Sequence, residues 1–239
     1  MLFGFGLQVG DTPERSAVSG SLGHAALQGC LYCTQVAQSI NKRVCYQYKP
    51  DWPLRTHAEV LDIVNRWPDL SAKDRTSLFK QNQTHGVKRP SLVRTWKSFD
   101  MVKGFSVDIM HALDEGVSKM MLAHLIDPAI SVLNISRTQR FKMDKLWLQM
   151  KVPGHENRKP RSLKQYKQFK AHEIRMFVVH AAPVVTKGIL EKNFYKLYCL
   201  LSSVTWLCGL DTVTEKQALQ LKVGRVTYLL KSMKINLYK

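Results

Sequence analysis

Residues 2–33 read LFGFGLQVGDTPERSAVSGSLGHAALQGCLYC, and the fold turns on how Asp11 and the Cys30–Cys33 pair are understood. Residues 2–10 mix small and apolar side chains and read as a buried strand. Thr12-Pro13-Glu14-Arg15 reads as a helix start, with proline in the first turn and an acid just inside it. Asp11 sits between the two and admits two readings. A carboxylate at the C-terminal end of a strand is placed for metal chemistry in α/β folds. The same aspartate can simply cap the following helix. Nineteen positions later comes Cys30-Leu-Tyr-Cys33. Two thiolates at this spacing can hold two corners of a zinc tetrahedron, which requires two further ligands. A redox dithiol or two unpaired buried cysteines are the other readings, the first lacking a flanking βαβ pattern. No second C-x-x-C or paired-histidine pattern follows; Cys199 and Cys208 read as core of an apolar helix, and Cys45 is isolated.

Outward from this stretch, helical signals dominate. Thr56 with Glu59 forms a capping box for a helix that stops at Pro68, and Ser71 with Asp74 starts another. Residues 44–56 and 85–107 read as irregular, punctuated by Gly, Pro and aromatics. In DIMHALDEGVSKMMLAHLI, Ile109, Leu113, Val117, Met120, Met121 and Leu125 recur at helical spacing and are expected to face the core. Asp108 and His111 lie three apart at this helix start, close enough to pair on a metal, or else to act as cap and core histidine. Glu115 and Glu173 read as ordinary helix acids. Further helices are expected over about 170–187, 191–208 and 213–233, the last opened by Thr212 with Glu215. The strand at 2–10 finds few candidate partners, so the chain is expected to be mainly α with minimal β.

Charge bounds the partners. Thirty-six Lys and Arg against eighteen Asp and Glu give +18, which favours a polyanion through counterion release. Residues 137–175 carry twelve Lys/Arg and three acids, a net +9 and half of the total. Trp147, Tyr166 and Phe169 are interleaved with them, a pattern suited to phosphate-backbone contacts, although solvated helix faces carry such charge too. Arg158, Lys159, Arg161, Lys164, Lys167 and Lys170 are the candidate nucleic-acid contacts. No apolar run reaches the roughly 18 residues of a membrane span, no basic amphipathic anchor stands out, and the N-terminus lacks the basic region of a signal peptide. These features point to a soluble protein of a reducing compartment, not a secreted one.

Several segments in this order resemble the transposases of CACTA/En-Spm elements (Tnp2-like). GDTPERSAVSG…LQGCLYC is similar to that family's D-x-P-x-R…G-C-x-x-C, and HGVKRPSLVRTWKSFDMVKGFSVDIMHALDEGVSKMML to its G-(I/V)-x-G-x-S-x-L…F-D…D-x-M-H…G-V block. PRSLKQYKQFKAHEIRMFVVHAAPVVTKGIL…FYKLYCLLSSV resembles its helical P-R-S-(I/L)…K-A-x-E-x-R block. The resemblance implies an RNase H-like core with a DDE triad, in which a largely helical insertion separates the second Asp from the Glu. Asp11 corresponds to that second Asp, and Cys30 and Cys33 to a zinc pair near the start of the insertion. In the family, the acids hold two Mg²⁺ ions at a DNA phosphodiester, and a later histidine pair completes the zinc site. This chain departs from the pattern: Arg89 replaces a usual glycine, and only Asp11 of the triad and two of four zinc ligands have counterparts.

The expectation is therefore a helical insertion domain (56–239) following a remnant of an RNase H-like core with the C-x-x-C segment (1–55), as a truncated transposase. Its Zn²⁺ site is incomplete and Mg²⁺ binding doubtful, since one carboxylate cannot hold two Mg²⁺. Asp108, His111, His24 or a partner chain are the candidates to complete the zinc site. The expected partner is DNA, the expected location nuclear, and cleavage by this polypeptide alone is not expected. A homo-oligomer or a second chain supplying the missing acids would make it a working nuclease subunit. A helical protein-interaction module is the remaining alternative.

Overall fold

The computed structural model describes residues 7–47, 53–81, 83–151 and 159–222. It is mainly helical with a small amount of strand, as the sequence implies. No helix among the described residues is long and apolar enough to cross a membrane. Its contacts divide the chain into two units, Met1–Asp108 and Ile109–Lys239. That division follows packing, whereas a boundary near residue 55 concerns descent, and the one does not bear on the other.

In the first unit, β1 (Gln8–Gly10) gives way at once to α1 (Thr12–Ser19). The Asp11 side chain accepts the Glu14 N–H at 2.8 Å, so the local start signal is obeyed. Residues 2–6 of the expected strand lie outside the described residues. The partner of β1 comes from a segment read as loop: β4 (Phe105–Val107) pairs with it in parallel, Gln8 opposite Phe105 and Gly10 opposite Val107. Burial of β1 is only partial: Val9 is 60% exposed, and Leu7 just before the strand 67%. Among the described residues this sheet has two strands. Another short antiparallel pair, β2 (Gln38–Ile40) and β3 (Arg43–Cys45), also went unread in the sequence.

The two other capping signals of the first unit hold as well. Thr56 and Glu59 form a reciprocal box at the start of α2 (His57–Arg66), and Ser71 caps α3 (Ala72–Lys80). A single 3₁₀ turn at Trp67–Asp69 absorbs Pro68 between them. Val64, Trp67, Val87, Phe99 and Phe105 form the centre of this unit's core. Phe99 meets Phe105 edge to face at 5.0 Å, fixing β4 against the loop before it.

The second unit opens on a π-helical stretch, Met110–Ser118, that continues into α4 (Lys119–Ile126). Hydrogen bonds spanning five residues widen the turn, so side chains spaced for 3.6 residues per turn drift off the inner face. Val117 is consequently exposed, against expectation, while Asp114 and Ser118 are buried; Ile109 and Met120, which flank the stretch, are exposed as well. Beyond Ser118 the ordinary period resumes, and Met121, Leu122 and Leu125 are buried as expected.

The basic segment builds α5 (Arg137–Gln149), a 3₁₀ stretch (Leu163–Gln168) and α6 (Ala171–Met176). A second π-helical turn, Phe177–Ala181, leads to α7 (Ala182–Val185). Pro183 accounts for the irregularity: it has no N–H for the Val179 carbonyl four residues back, and its ring crowds that oxygen. Ser202 of α8 (Lys192–Leu207) donates to the Val179 carbonyl instead, at 2.9 Å. Trp147 and Phe177 pack edge to face at 5.4 Å in the core beside Tyr198, Leu122 and Met143. Burying each such aromatic contributes about 2–3 kcal/mol. The last described helix, α9 (Glu215–Lys222), starts from Thr214 with Gln217 rather than from Thr212 with Glu215. Residues 223–233 of the expected helix lie outside the described residues. Cys199 and Cys208 are half-buried, less enclosed than a core reading requires, and Cys45 is buried.

Candidate functional site

Three arrangements bear on function, two in the first unit and one in the second. Parallel pairing of β1 and β4 brings their C-terminal ends into register, Gly10 opposite Val107. Asp11 and Asp108 are the residues that follow directly, so an aspartate leaves each strand at the same edge of the sheet. This edge is where open parallel sheets carry their ligands. One oxygen of Asp11 is committed to the Glu14 N–H. His111, the other residue proposed with Asp108, lies in the π-helical stretch that opens the second unit.

The C-x-x-C loop is tied to this edge by a chain of hydrogen bonds. Arg15 is buried in α1 and donates to the Tyr32 hydroxyl at 2.7 Å. Tyr32 in turn donates to the Phe105 carbonyl of β4 at 2.8 Å. The middle of the cysteine motif thus couples α1 to β4. Neither Arg15 nor Tyr32 was singled out from the sequence, although Arg15 falls within D-x-P-x-R. Arg89 donates to the Ala17 carbonyl at 2.8 Å and satisfies a carbonyl in the last turn of α1.

Cys30 and Cys33 place their sulfurs 3.3 Å apart. That is far longer than a disulfide, at about 2.05 Å, and close to the roughly 3.8 Å separation of two thiolates sharing a tetrahedral zinc at 2.3 Å. The N–H groups of Tyr32 and Cys33 both donate to the Cys30 sulfur at 3.4 Å. Burial pushes the Cys33 thiol up, opposed by a backbone hydrogen bond at Gln35 and by the charge of Arg55. Arg55 is itself pulled below its ordinary value by burial. It donates to the Cys33 carbonyl at 2.8 Å and to the Gln28 carbonyl at 3.3 Å, clamping both sides of the loop. Gly86, at φ 72°, passes so close that a Cβ would lie 2.6 Å from the Arg55 guanidinium. Among the described residues no third His, Cys, Asp or Glu joins the pair to form a metal-binding group.

In the second unit the basic segment separates into structural and exposed cations. Arg161 is bound by Glu173 through two 2.8 Å contacts, and Glu173 is no ordinary surface acid but almost fully buried. Lys159, Lys164 and Lys170 are exposed, and Lys167, 74% exposed, lies 3.7 Å from Asp127. Arg158 lies outside the described residues. The interleaved aromatics Trp147, Tyr166 and Phe169 are all buried in the core rather than presented to a ligand. Phe141 is the aromatic that this segment exposes, at 62%. It lines a cavity of about 750 Å³ together with Arg137, Arg140, Asp144, Leu163 and Lys164. The signal was available: Phe141 is two residues, about 200°, from Met143 on the inner face of α5.

Compared with protein-family models, with curated proteins and with solved structures, the chain matches none in any of the three.

Proposed function

We propose that this chain is a transposon-derived, DNA-binding protein of the DDE type, built on part of an RNase H-like core and its helical insertion. On this reading, cleavage and strand transfer are not expected of these 239 residues alone. The observation carrying the reading is the in-register parallel pair whose strands are followed by Asp11 and Asp108. The C-x-x-C loop tied to the same strands through Arg15 and Tyr32 adds to it. Zn²⁺ belongs to this reading as the metal held by Cys30 and Cys33, and the nucleus as the compartment where DNA is met. Mg²⁺ chemistry of the DDE type requires several converging carboxylates, and in this reading Asp11 supplies one of them.

Anisotropy of a labelled 20-bp duplex, titrated from 50 to 200 mM salt, tests the binding. About four phosphate contacts weaken affinity on the order of a hundredfold over that range. A flat salt response overturns DNA binding and favours a protein-interaction module. Incubation of supercoiled plasmid with Mg²⁺ or Mn²⁺ tests the chemistry. Nicking that disappears in Asp11→Ala would make the chain a working nuclease subunit.

A further inference from the structure

The cavity on α5 has the makings of a single-stranded nucleotide site. Its aromatic wall is Phe141, 62% exposed although the residue is large and apolar. Its cationic wall is Arg137, one helical turn before Phe141, with Lys164 contributed from the 3₁₀ stretch that follows. Arg137 and Lys164 are exposed. The remaining charged groups in the wall are engaged by the fold. Arg140 gives its guanidinium to the Leu125 and Ile135 carbonyls, which fixes its position while leaving its charge in the wall. Asp144 accepts from the Ser162 hydroxyl at 2.8 Å and the Leu163 N–H at 2.6 Å, so its carboxylate is already solvated by donors. Leu163 supplies an apolar floor.

The geometry points to single-stranded DNA as the occupant, one base stacked on the Phe141 ring and the flanking phosphates on Arg137 and Lys164. This rests on the DNA-binding reading above and specifies the strand state and the residues. An exposed ring beside cations offers a face to any base, but only to one released from its neighbours in the duplex. A volume of about 750 Å³ lies within the range of built ligand sites and is ample for a nucleotide. Duplex DNA would use the same cations without the ring, so the two strand states are separated by Phe141 alone.

The test compares labelled (dT)12 with a 12-bp duplex, using the full chain. Phe141→Ala is expected to weaken (dT)12 binding about tenfold, the loss of one stacked base, and to change duplex binding less than about twofold. Phe141→Trp is expected to retain (dT)12 affinity. Arg137→Gln with Lys164→Gln is expected to lower the (dT)12 salt slope by about 1.4, two phosphates' worth. Unchanged (dT)12 binding by Phe141→Ala overturns the assignment, as does an equal loss on the duplex. If the parent chain binds neither probe, the DNA-binding reading itself falls. If it binds both and Phe141→Ala alters neither, only the nucleotide site falls.

Discussion

Arg161 and Glu173 hold one another by two contacts, Nε to Oε1 and Nη2 to Oε2, each 2.8 Å. Glu173 Oε2 also accepts the Lys170 N–H at 2.9 Å, and the Arg161 carbonyl accepts the Trp147 indole N–H at 2.8 Å. A cation from the most basic stretch of the chain thus closes the core of the second unit. Planar two-pronged pairing suits arginine and a carboxylate, and lysine cannot reproduce it.

Removing the arginine takes two charge-assisted contacts from a buried carboxylate. Arg161→Gln is expected to cost about 3 kcal/mol of stability, whereas Lys159→Gln and Lys170→Gln, both exposed, stay within about 0.5 kcal/mol. Urea denaturation separates these outcomes. Equal small effects for all three would show that the Arg161–Glu173 pair carries no structural load.

The Arg15–Tyr32–Phe105 chain predicts a coupling between helix and strand. Tyr32→Phe removes the acceptor of the buried Arg15 and the donor to the Phe105 carbonyl, at a cost of about 1–3 kcal/mol. Arg15→Gln in the Tyr32→Phe background is expected to add less than it costs alone, which a double-mutant cycle reads directly. Strict additivity would mean that the two residues act independently.

His85 introduces a pH dependence. It is half-buried with φ 47°, and burial lowers its pKa, with Arg55 adding to the effect and Glu59 and Asp62 opposing it. The unfolded chain therefore takes up a proton near the ordinary histidine value, about 6.5, before the folded protein does. The contribution is complete above that pH and is lost as pH falls below it toward the lowered folded value. His85→Asn, which tolerates the positive φ, is expected to flatten the stability profile below pH 6.5. A parent and variant that fall in parallel would assign the acid sensitivity elsewhere.

Cys33 should be a sluggish nucleophile at neutral pH. Because burial holds its thiol up, alkylation is expected to accelerate only above the ordinary thiol range of about 8.5. Mass spectrometry after timed iodoacetamide labelling reports this site by site. Bound Zn²⁺ would protect Cys30 and Cys33 together, and a chelator would then restore labelling of both. Rapid Cys33 labelling at pH 7 would contradict the direction of its shift.

What the sequence by itself determined lies within a helical turn or two of each residue. Asp11 over Glu14, Thr56 with Glu59, and Ser71 with Asp74 start their helices as read, because a cap and its partner are three residues apart. The close approach of Cys30 and Cys33 was legible for the same reason. Only the tertiary structure decided the rest. β1 found its partner some 95 residues away, in a stretch whose Gly and Pro content reads as loop. Pro183 broke the period of one helix, and Ser202 from another supplied the missing donor. The π-helical stretch at 110–118 moved Val117 outward and Asp114 inward, which a fixed 3.6 period cannot anticipate. Charge told how basic the 137–175 segment is, but a count is blind to partners. Packing committed Arg161 to Glu173 and left Phe141 beside Arg137 and Lys164, because which cation is consumed depends on the acids and carbonyls that folding brings to it.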